Sequence, residues 1–245
     1  MRTLLLSLLL LATARAGEHR HFPLPVGPGG RESTLHAYVF NSSQETFRVV
    51  DQGDLGRQAF PDLGIAAREL GAFAGVNGGF FDSQGNPLGR FIADGKGNGE
   101  TASIENAASG LVWSDGRLTG GSISAAYDSK AHPATQLLQA GPVLVDAGMV
   151  SGGLDSSRYS RRTVVLTDGG KLWALAFVPG ATLDGLAKAL SKPGAFPPFQ
   201  PKFILNLGGG GASGLWIKRP EGHSFYLREI SKVRNFLVVV PINQG

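Results

Sequence analysis

Short apolar segments separated by glycine-rich turns run along most of this 245-residue chain. Glycine supplies 36 of the residues, about twice its usual share of roughly 7%, and it allows the sharp backbone turns that join neighbouring strands. Most connections are too short for the crossover helix that joins two parallel strands. The sequence therefore predicts an α+β fold with a mixed, largely antiparallel sheet and a few flanking helices.

Two segments have the periodicity of an amphipathic helix. In residues 63–70 and 183–190, apolar side chains recur at positions i, i+3, i+4 and i+7, and Asp62 and Thr182 precede these segments as N-caps. Apolar runs between turn residues predict strands. They cover residues 35–40, 46–50, 72–76, 111–113, 137–139, 143–145, 163–167, 172–177, 203–207, 215–218 and 236–240.

Two of the turns are predicted to join antiparallel neighbours. Residues 41–45 form the turn between the first two predicted strands, which we expect to pair with each other. Asp168-Gly169-Gly170 is a hairpin signal between the strands at 163–167 and 172–177.

Residues 1–16 have the features of a cleavable secretory signal. Arg2 precedes a leucine-rich run over residues 4–11, and the Ala-Arg-Ala motif at 14–16 is the small-x-small pattern that signal peptidases cut. The apolar run is too short to span a bilayer, which takes about 20 residues, so cleavage is favoured over an uncleaved anchor. We predict a secreted or periplasmic protein without stable membrane insertion after cleavage.

Composition indicates one domain that its own core must stabilise. The chain has no cysteine, so disulfides cannot cross-link it. Removing residues 1–16 leaves 21 Lys and Arg against 19 Asp and Glu, without the basic block typical of nucleic-acid binding. We predict a loose N-terminus over residues 17–33, a single domain over residues 34–245 and no nucleic-acid partner.

The most unusual motif is the run of four glycines that follows the strand at 203–207. Successive glycine N–H groups can point at one centre and bind an anion such as phosphate, whereas the alternative is a plain flexible turn. The stretch also fits the dinucleotide fingerprint G-x-G-x-x-G, but that motif requires a following helix and a strand is predicted there. We expect Gly209, Gly210 and Gly211 to bind an anion, and we predict no cofactor.

A second glycine pair follows the strand at 72–76. Asn77 and Asp82 place an amide and a carboxylate on either side of Gly78 and Gly79. The residues after Phe81 are rich in turn formers and also suit a plain hairpin. They faintly resemble a calcium loop, but the closing glutamate of such a loop is missing.

Arg162 stands at the start of the strand at 163–167. The guanidinium fork of arginine matches a phosphate group, although spacing alone does not distinguish this role from that of a solvated arginine at a strand edge. The five histidines show no metal-ligand spacing, and the G-x-S-x-G motif of many serine hydrolases is absent. The sequence therefore predicts no metal site.

Six motifs occur in a consistent order along residues 35–241. They are Val76-Asn77-Gly78-Gly79-Phe80-Phe81-Asp82, Pro87-Leu88-Gly89, Ala140-Gly141-Pro142-Val143-Leu144-Val145, Arg161-Arg162-Thr163 with Asp168-Gly169, Leu205-Asn206-Leu207 with its glycines, and Val233-Arg234-Asn235. Together they resemble the phosphodiester glycosidase family, and its short bacterial members in particular. The chain departs from the family at Gly208, where an aspartate is usual, and at Ala212, where a serine is common.

The resemblance implies a hydrolase that acts on sugar-1-phosphodiester linkages in a glycan. The leaving group is then a phosphate monoester, so clamping its negative charge matters more than protonating it. Arg162 and the glycine N–H groups suit that clamp, and Asp82 would activate water or stabilise the cationic sugar. The residues implied to bind substrate are Asn77, Gly78, Gly79, Asn206, Gly209, Gly210, Gly211 and Ser213.

Two other functions are weighed beside the glycosidase. A catalytically silent relative that binds anionic or phosphorylated glycans is favoured by Gly208, which removes the usual carboxylate. A metal-dependent phosphodiesterase would need a cluster of histidine and acidic ligands, which the sequence does not offer.

Overall fold

The computed structural model describes residues 17–98, 109–220 and 222–242. The predicted signal over residues 1–16 lies outside this part of the chain. The described residues form two α-helices, α1 (Leu63–Glu69) and α2 (Leu183–Leu190). In chain order the strands are β1 (Glu18–Pro25), β2 (Glu32–Asn41), β3 (Glu45–Asp51), β4 (Ala74–Asn77), β5 (Phe91–Ala93), β6 (Lys96–Asn98), β7 (Gly110–Ser114), β8 (Thr119–Ile123), β9 (Gln136–Ala140), β10 (Val143–Asp146), β11 (Met149–Val150), β12 (Ser160–Thr167), β13 (Leu172–Ala181), β14 (Phe203–Asn206), β15 (Leu215–Lys218), β16 (Ser224–Leu227) and β17 (Asn235–Pro241).

The strands form three sheets. Sheet A has the order β1-β2-β13-β12-β14-β10-β11, sheet B the order β16-β15-β4-β17-β3, and sheet C the order β6-β5-β9-β7-β8. Every strand pair in the described residues is antiparallel. The predicted α+β class with a mixed sheet is therefore wrong, and the fold is mostly β. The prediction missed short or partly polar strands such as β6, β11 and β16, which carry little apolar pattern of their own.

All three sheets contribute to one central core. Leu175 of sheet A, Leu237 of sheet B and Phe91 of sheet C belong to the same buried apolar cluster. Side chains alternate across each strand, and the side chains on the outer faces of sheets A and B are also apolar. Helix α2 packs on the outer face of sheet A, and α1 packs on that of sheet B.

Both predicted helices and their caps are confirmed. The Asp62 carboxylate accepts a hydrogen bond from Ile65 N at 2.8 Å, and the Thr182 hydroxyl accepts one from Gly185 N at 3.0 Å. Each contact satisfies a backbone N–H that the first helical turn leaves without a partner. In the described part of the chain, neither helix is long and apolar enough to cross a membrane.

The predicted pairing of the first two strands is wrong. β2 pairs with β1 and β13 in sheet A, whereas β3 pairs with β17 in sheet B. The turn between them is thus a corner between two sheets. Phe40 and Phe47 pack edge to face across it, with ring centroids 5.4 Å apart, because both strands bury aromatic side chains in the central core.

The prediction of a loose N-terminus over residues 17–33 also needs correction. Residues 18–25 form β1, which pairs along its whole length with β2 at the edge of sheet A. Pro23 and Pro25 are atypical of a strand, which is why the sequence did not predict one here. An edge strand tolerates proline because one row of its N–H groups has no partner strand. Phe22 and Leu24 pack with the cluster between sheet A and α2.

Candidate active site

Two glycine-containing loops meet where a strand of sheet A and a strand of sheet B end. β4 ends at Asn77 and β14 ends at Asn206, and the loops that follow are joined by a hydrogen bond of 2.9 Å from Gly208 N to Gly78 O. The start of β12 runs beside them. The sheet topology thus brings together motifs that are about 130 residues apart in the sequence.

Asn77 holds this junction together. Its buried amide donates from Nδ2 to Gly208 O at 2.9 Å, and its Oδ1 accepts from the Thr163 hydroxyl at 2.7 Å and from Gly214 N at 3.2 Å. The amide is therefore occupied by protein groups. Asn77, implied to bind substrate, instead positions the glycine loop.

The glycine pair is required by close packing on Asn235. Gly78 N donates to Asn235 O at 2.8 Å, and Gly79 N donates to Asn235 Oδ1 at 2.9 Å. A Cβ at position 78 would overlap Asn235 Oδ1, and one at position 79 would lie 2.9 Å from Gln139 O. Both glycines have a structural role, and Gly79 also lines a cavity described below.

Arg162 is buried, and its Nη1 donates no hydrogen bond within the described residues. The residue is 8% exposed, and two backbone carbonyls hold its guanidinium: Nε donates to Ala181 O at 3.2 Å and Nη2 to Arg158 O at 2.7 Å. Burial lowers the pKa of Arg162 and Arg158 lowers it further, while the nearby Asp155 raises it. Arginine nonetheless stays charged in proteins. Nη1 faces Gly209, where an added Cβ would lie 3.3 Å from it.

The glycine loop has several N–H groups without an acceptor in the part of the chain that the structure describes. Gly210 has a φ of 64°, which favours glycine, and residues Gly210–Ala212 form a single 3-10 turn. Within the described residues, the N–H groups of Gly209, Gly210 and Gly211 donate no hydrogen bond. The loop is held in place at Gly211, whose carbonyl oxygen accepts hydrogen bonds from Ile230 N at 2.7 Å and from Ser231 N at 3.1 Å.

Two adjoining cavities open beside this loop. The loop cavity, of about 300 Å³, is lined by Gly79, Gly208, Gly209 and Gly210 with Ser160. The broad cavity, of about 550 Å³, is lined by Asn206, Asp146 and Asp155 together with apolar side chains such as Ile123, Val143 and Leu183. Both share the walls formed by Phe80, Arg158 and Arg162. Arg162 thus stands between the glycine loop and a larger, partly apolar chamber.

Asn206 lines the broad cavity with one hydrogen-bonding atom unused. Its Nδ2 donates to Gly141 O and Leu207 O, both at 2.8 Å. Its Oδ1 is buried and accepts no hydrogen bond from the described residues. Ser213 differs, because its hydroxyl lies 3.3 Å from Gly208 O and its carbonyl accepts from Arg161 at 2.6 Å. Ser213 therefore supports the loop from the protein interior.

The structure does not bring Asp82 to either cavity. Its Oδ1 accepts from Gln84 N at 2.8 Å and from Asn86 N at 2.9 Å, and its Oδ2 accepts from Asn86 Nδ2 at 2.9 Å. The Asn86 hydrogen bonds lower the pKa of Asp82. The carboxylate closes its own turn, as expected for the hairpin alternative, while the neighbouring Phe80 and Phe81 line the loop cavity.

Asp146 and Asp155 both line the broad cavity with Arg162, and the one whose charge acts on the pKa of Arg162 is Asp155. Its Oδ1 accepts from Ser157 N at 2.7 Å and Arg158 N at 3.2 Å, while Oδ2 accepts no hydrogen bond from the described residues. Ser157, and to a smaller extent Arg162, lower the pKa of Asp155 and keep it ionised. Sequence reasoning missed Asp155 and Arg158, because neither belongs to a recognisable chemical motif, and it named Phe80 only as part of the motif at residues 76–82.

A third cavity has an ion pair in its lining. It has a volume of about 640 Å³ and is lined by Arg48, Asp94 and Gln136. The Arg48 guanidinium is already paired there with Asp94, at 2.8 Å. The described residues contain no group of three or more His, Asp or Glu that could hold a metal ion.

Comparison with known proteins adds the family. Residues 70–240 match the phosphodiester glycosidase family. The chain belongs to the phosphodiester glycosidase family. No curated protein matches the sequence.

Solved structures share the fold of this chain at low identity. One is the catalytic domain of zebrafish N-acetylglucosamine-1-phosphodiester alpha-N-acetylglucosaminidase, auto-inhibited by its pro-peptide, with a TM-score of 0.67 and 17% identity over 94% of this chain and 84% of that chain. Another is a hypothetical protein from Synechocystis, with a TM-score of 0.56 and 14% identity over 91% of this chain and 61% of that one. At such identities the likeness concerns the fold alone.

Proposed function

We propose that this phosphodiester glycosidase hydrolyses sugar-1-phosphodiester linkages in glycans or envelope polymers outside the cytoplasm. The observation that carries the proposal is the position of Arg162. Its Nη1 faces the Gly209 loop, and neither this nitrogen nor the N–H groups of that loop have an acceptor in the described residues. A guanidinium opposite unpaired backbone N–H groups is suited to a phosphodiester oxyanion. The zebrafish enzyme named above acts on an N-acetylglucosamine phosphodiester, which is the same class of bond.

The two cavities accommodate the two ends of such a substrate. We place the phosphate between Arg162 and the glycine loop, and the sugar in the broad cavity. The apolar side chains and Phe80 can pack against the faces of a sugar ring. A neutral sugar joined to an anion matches this division of the site.

Hydrolysis then breaks the bond between the anomeric carbon and the phosphate oxygen. The bonding electron pair leaves with the phosphate monoester, whose negative charge Arg162 and the loop N–H groups stabilise. Positive charge develops on the sugar in the transition state, and the ionised Asp155 carboxylate in the same chamber stabilises it. Water adds to the anomeric carbon, and its proton passes through Asp155 to solvent. Asp155 thus takes the role that the resemblance implied for Asp82.

The test compares the wild type with Arg162→Lys, Asp155→Asn and Asp82→Asn on a synthetic N-acetylglucosamine-1-phosphodiester. Asn keeps the Oδ1 that accepts the backbone N–H groups of each turn, and Asp82→Asn loses only the exposed contact with Asn86 Nδ2, so both asparagine variants should fold. We expect Asp155→Asn to lower kcat by roughly 10²–10⁴-fold. Arg162→Lys should lower kcat/KM by about 10²-fold or more, because it removes the guanidinium fork. Asp82→Asn should retain wild-type turnover.

The alternative function is that of a silent binding protein, and a specific observation supports keeping it. Asp82 lies outside both cavities, and position 208 is a glycine, so neither position supplies a carboxylate to the cavities. Absence of turnover in the wild type, together with Arg162-dependent binding of a glycan phosphate in calorimetry, would establish the binding protein and overturn the glycosidase. Turnover that is lost in Asp82→Asn and kept in Asp155→Asn would overturn only the assignment of the carboxylate.

A further inference from the structure

Glu45 is a buried carboxylate without a basic side chain to balance it. It lies at the start of β3 and is 2% exposed. The Tyr38 hydroxyl donates to its Oε2 at 2.9 Å, and the backbone nitrogen of Gly17 donates to its Oε1 at 2.7 Å. In the described part of the chain, no Lys, Arg or His forms an ion pair with it. A buried charge of this kind is costly without an opposite charge.

The surroundings of Glu45 require a glycine at position 17 and favour a positive charge on its backbone nitrogen. A Cβ at position 17 would overlap the Tyr38 ring, so this position requires glycine. Burial raises the pKa of Glu45, and the hydrogen bonds from Gly17 and Tyr38 oppose that rise. A positive charge on the Gly17 nitrogen would keep the carboxylate ionised far more effectively than a neutral amide does.

The predicted signal ends directly before this residue. We propose that cleavage between Ala16 and Gly17 creates an α-ammonium group that forms a buried ion pair with Glu45, so that export processing completes the fold. Water adds across the peptide bond. The Ala16 carbonyl carbon takes the hydroxyl group, and the Gly17 nitrogen takes the proton and becomes a primary amine, which is protonated at neutral pH. The bond is cut by a signal peptidase, and the proposal does not depend on the enzymatic activity.

The ion pair would join two sheets. Gly17 directly precedes β1 of sheet A, whereas Glu45 begins β3 of sheet B. The pair would attach the N-terminal end of the edge strand β1, directly after the predicted cleavage site, to sheet B. An uncleaved precursor keeps the neutral amide and lacks this charge.

The experiment uses the chain that begins at Gly17, with a free or an acetylated N-terminus, each combined with Glu45 or Glu45→Gln. Acetylation keeps an N–H donor and removes only the charge, which makes it the matched control. We expect either change alone to lower Tm by on the order of 10 °C, and the two together to lower it by no more than one of them. Equal Tm values for the free and acetylated chains would overturn the proposal, as would two effects that simply add.

A pH series gives a second readout that does not need the Glu45 variant. An unfolded α-amino group has a pKa of about 8, and pairing with Glu45 raises it in the folded state. The stabilisation is therefore fully present below about pH 8 and is lost as the pH rises through the higher folded value. We expect the Tm advantage of the free chain over the acetylated chain to disappear in alkaline solution. Mass spectrometry of the exported protein should give Gly17 as the first residue, and any other first residue would contradict the proposal.

Discussion

The family resemblance implies an aspartate where this chain has Gly208, but the packing around Gly208 leaves little room for a side chain. A Cβ there would lie 2.8 Å from Asn77 Nδ2 and 3.2 Å from Gly78 O, and the Asn77 amide is buried and held by hydrogen bonds on both sides. We expect Gly208→Ala and Gly208→Asp to lower the free energy of unfolding by about 1–3 kcal/mol, and neither to raise turnover.

Thermal unfolding and turnover of these variants are best measured beside Gly56→Ala. A Cβ at position 56 would meet open space, so this control reports the general effect of replacing glycine. Faster turnover in Gly208→Asp than in the wild type would show that the site accepts a carboxylate at this position, and would contradict the packing argument.

At the scale of elements, β1 brings a cluster of histidines to the edge of sheet A. His19 lies beside His36 and packs with a tilted ring against Phe225, with ring centroids 5.8 and 4.4 Å away. Burial, and then the charges of His36, Arg219 and His21, lower the pKa of His19 to about 4. Because the unfolded value is about 6.5, the unfolded chain binds protons first, and the fold loses stability as the pH falls from about 6.5 towards 4.

The change that tests this is His19→Phe, which keeps an aromatic ring against Phe225. We expect the wild type to lose more Tm between pH 7.5 and pH 4.5 than the variant does. The carboxylates of the protein titrate equally in both chains, so the difference isolates the histidine. Parallel pH profiles for the two chains would show that the cluster does not act on stability.

At the scale of the whole molecule, three sheets share one core and should unfold together. The three tryptophans fall one in each sheet: Trp113 in β7, Trp173 in β13 and Trp216 in β15. Phe91 of sheet C is fully buried in the shared cluster. We expect Phe91→Ala to lower the free energy of unfolding by about 3–5 kcal/mol and to leave a single transition in urea.

Fluorescence of single-tryptophan variants, in which the other two tryptophans are replaced by Phe, follows each sheet separately. The unfolding midpoints of the three should coincide in the Phe91→Ala background as in the parent. A lower midpoint for the Trp113 reporter alone would mean that sheet C is an independent unit and that the shared core does not couple the sheets.

Much of the local structure followed from the sequence alone. Both helices, their caps at Asp62 and Thr182, and the hairpin at residues 168–170 were predictable, because capping, helical periodicity and tight turns depend on neighbours in the chain. The suitability of Arg162 and of the glycine run for binding an anion remains a prediction, but it could be read from the sequence because it is a property of residue type. The family followed from the order of the motifs.

The partners of those elements were decided only by the tertiary structure. β2 and β3 looked like a hairpin but joined different sheets, and β1 looked like a loose segment but paired with β2, because strand pairing depends on which apolar faces meet in the core. The site changed for the same reason. Asp82 closes its own turn, Asp155 stands beside Arg162, and Gly17 reaches Glu45 across 28 positions of the sequence. Contacts between distant residues follow from how the sheets pack, and no local pattern encodes them.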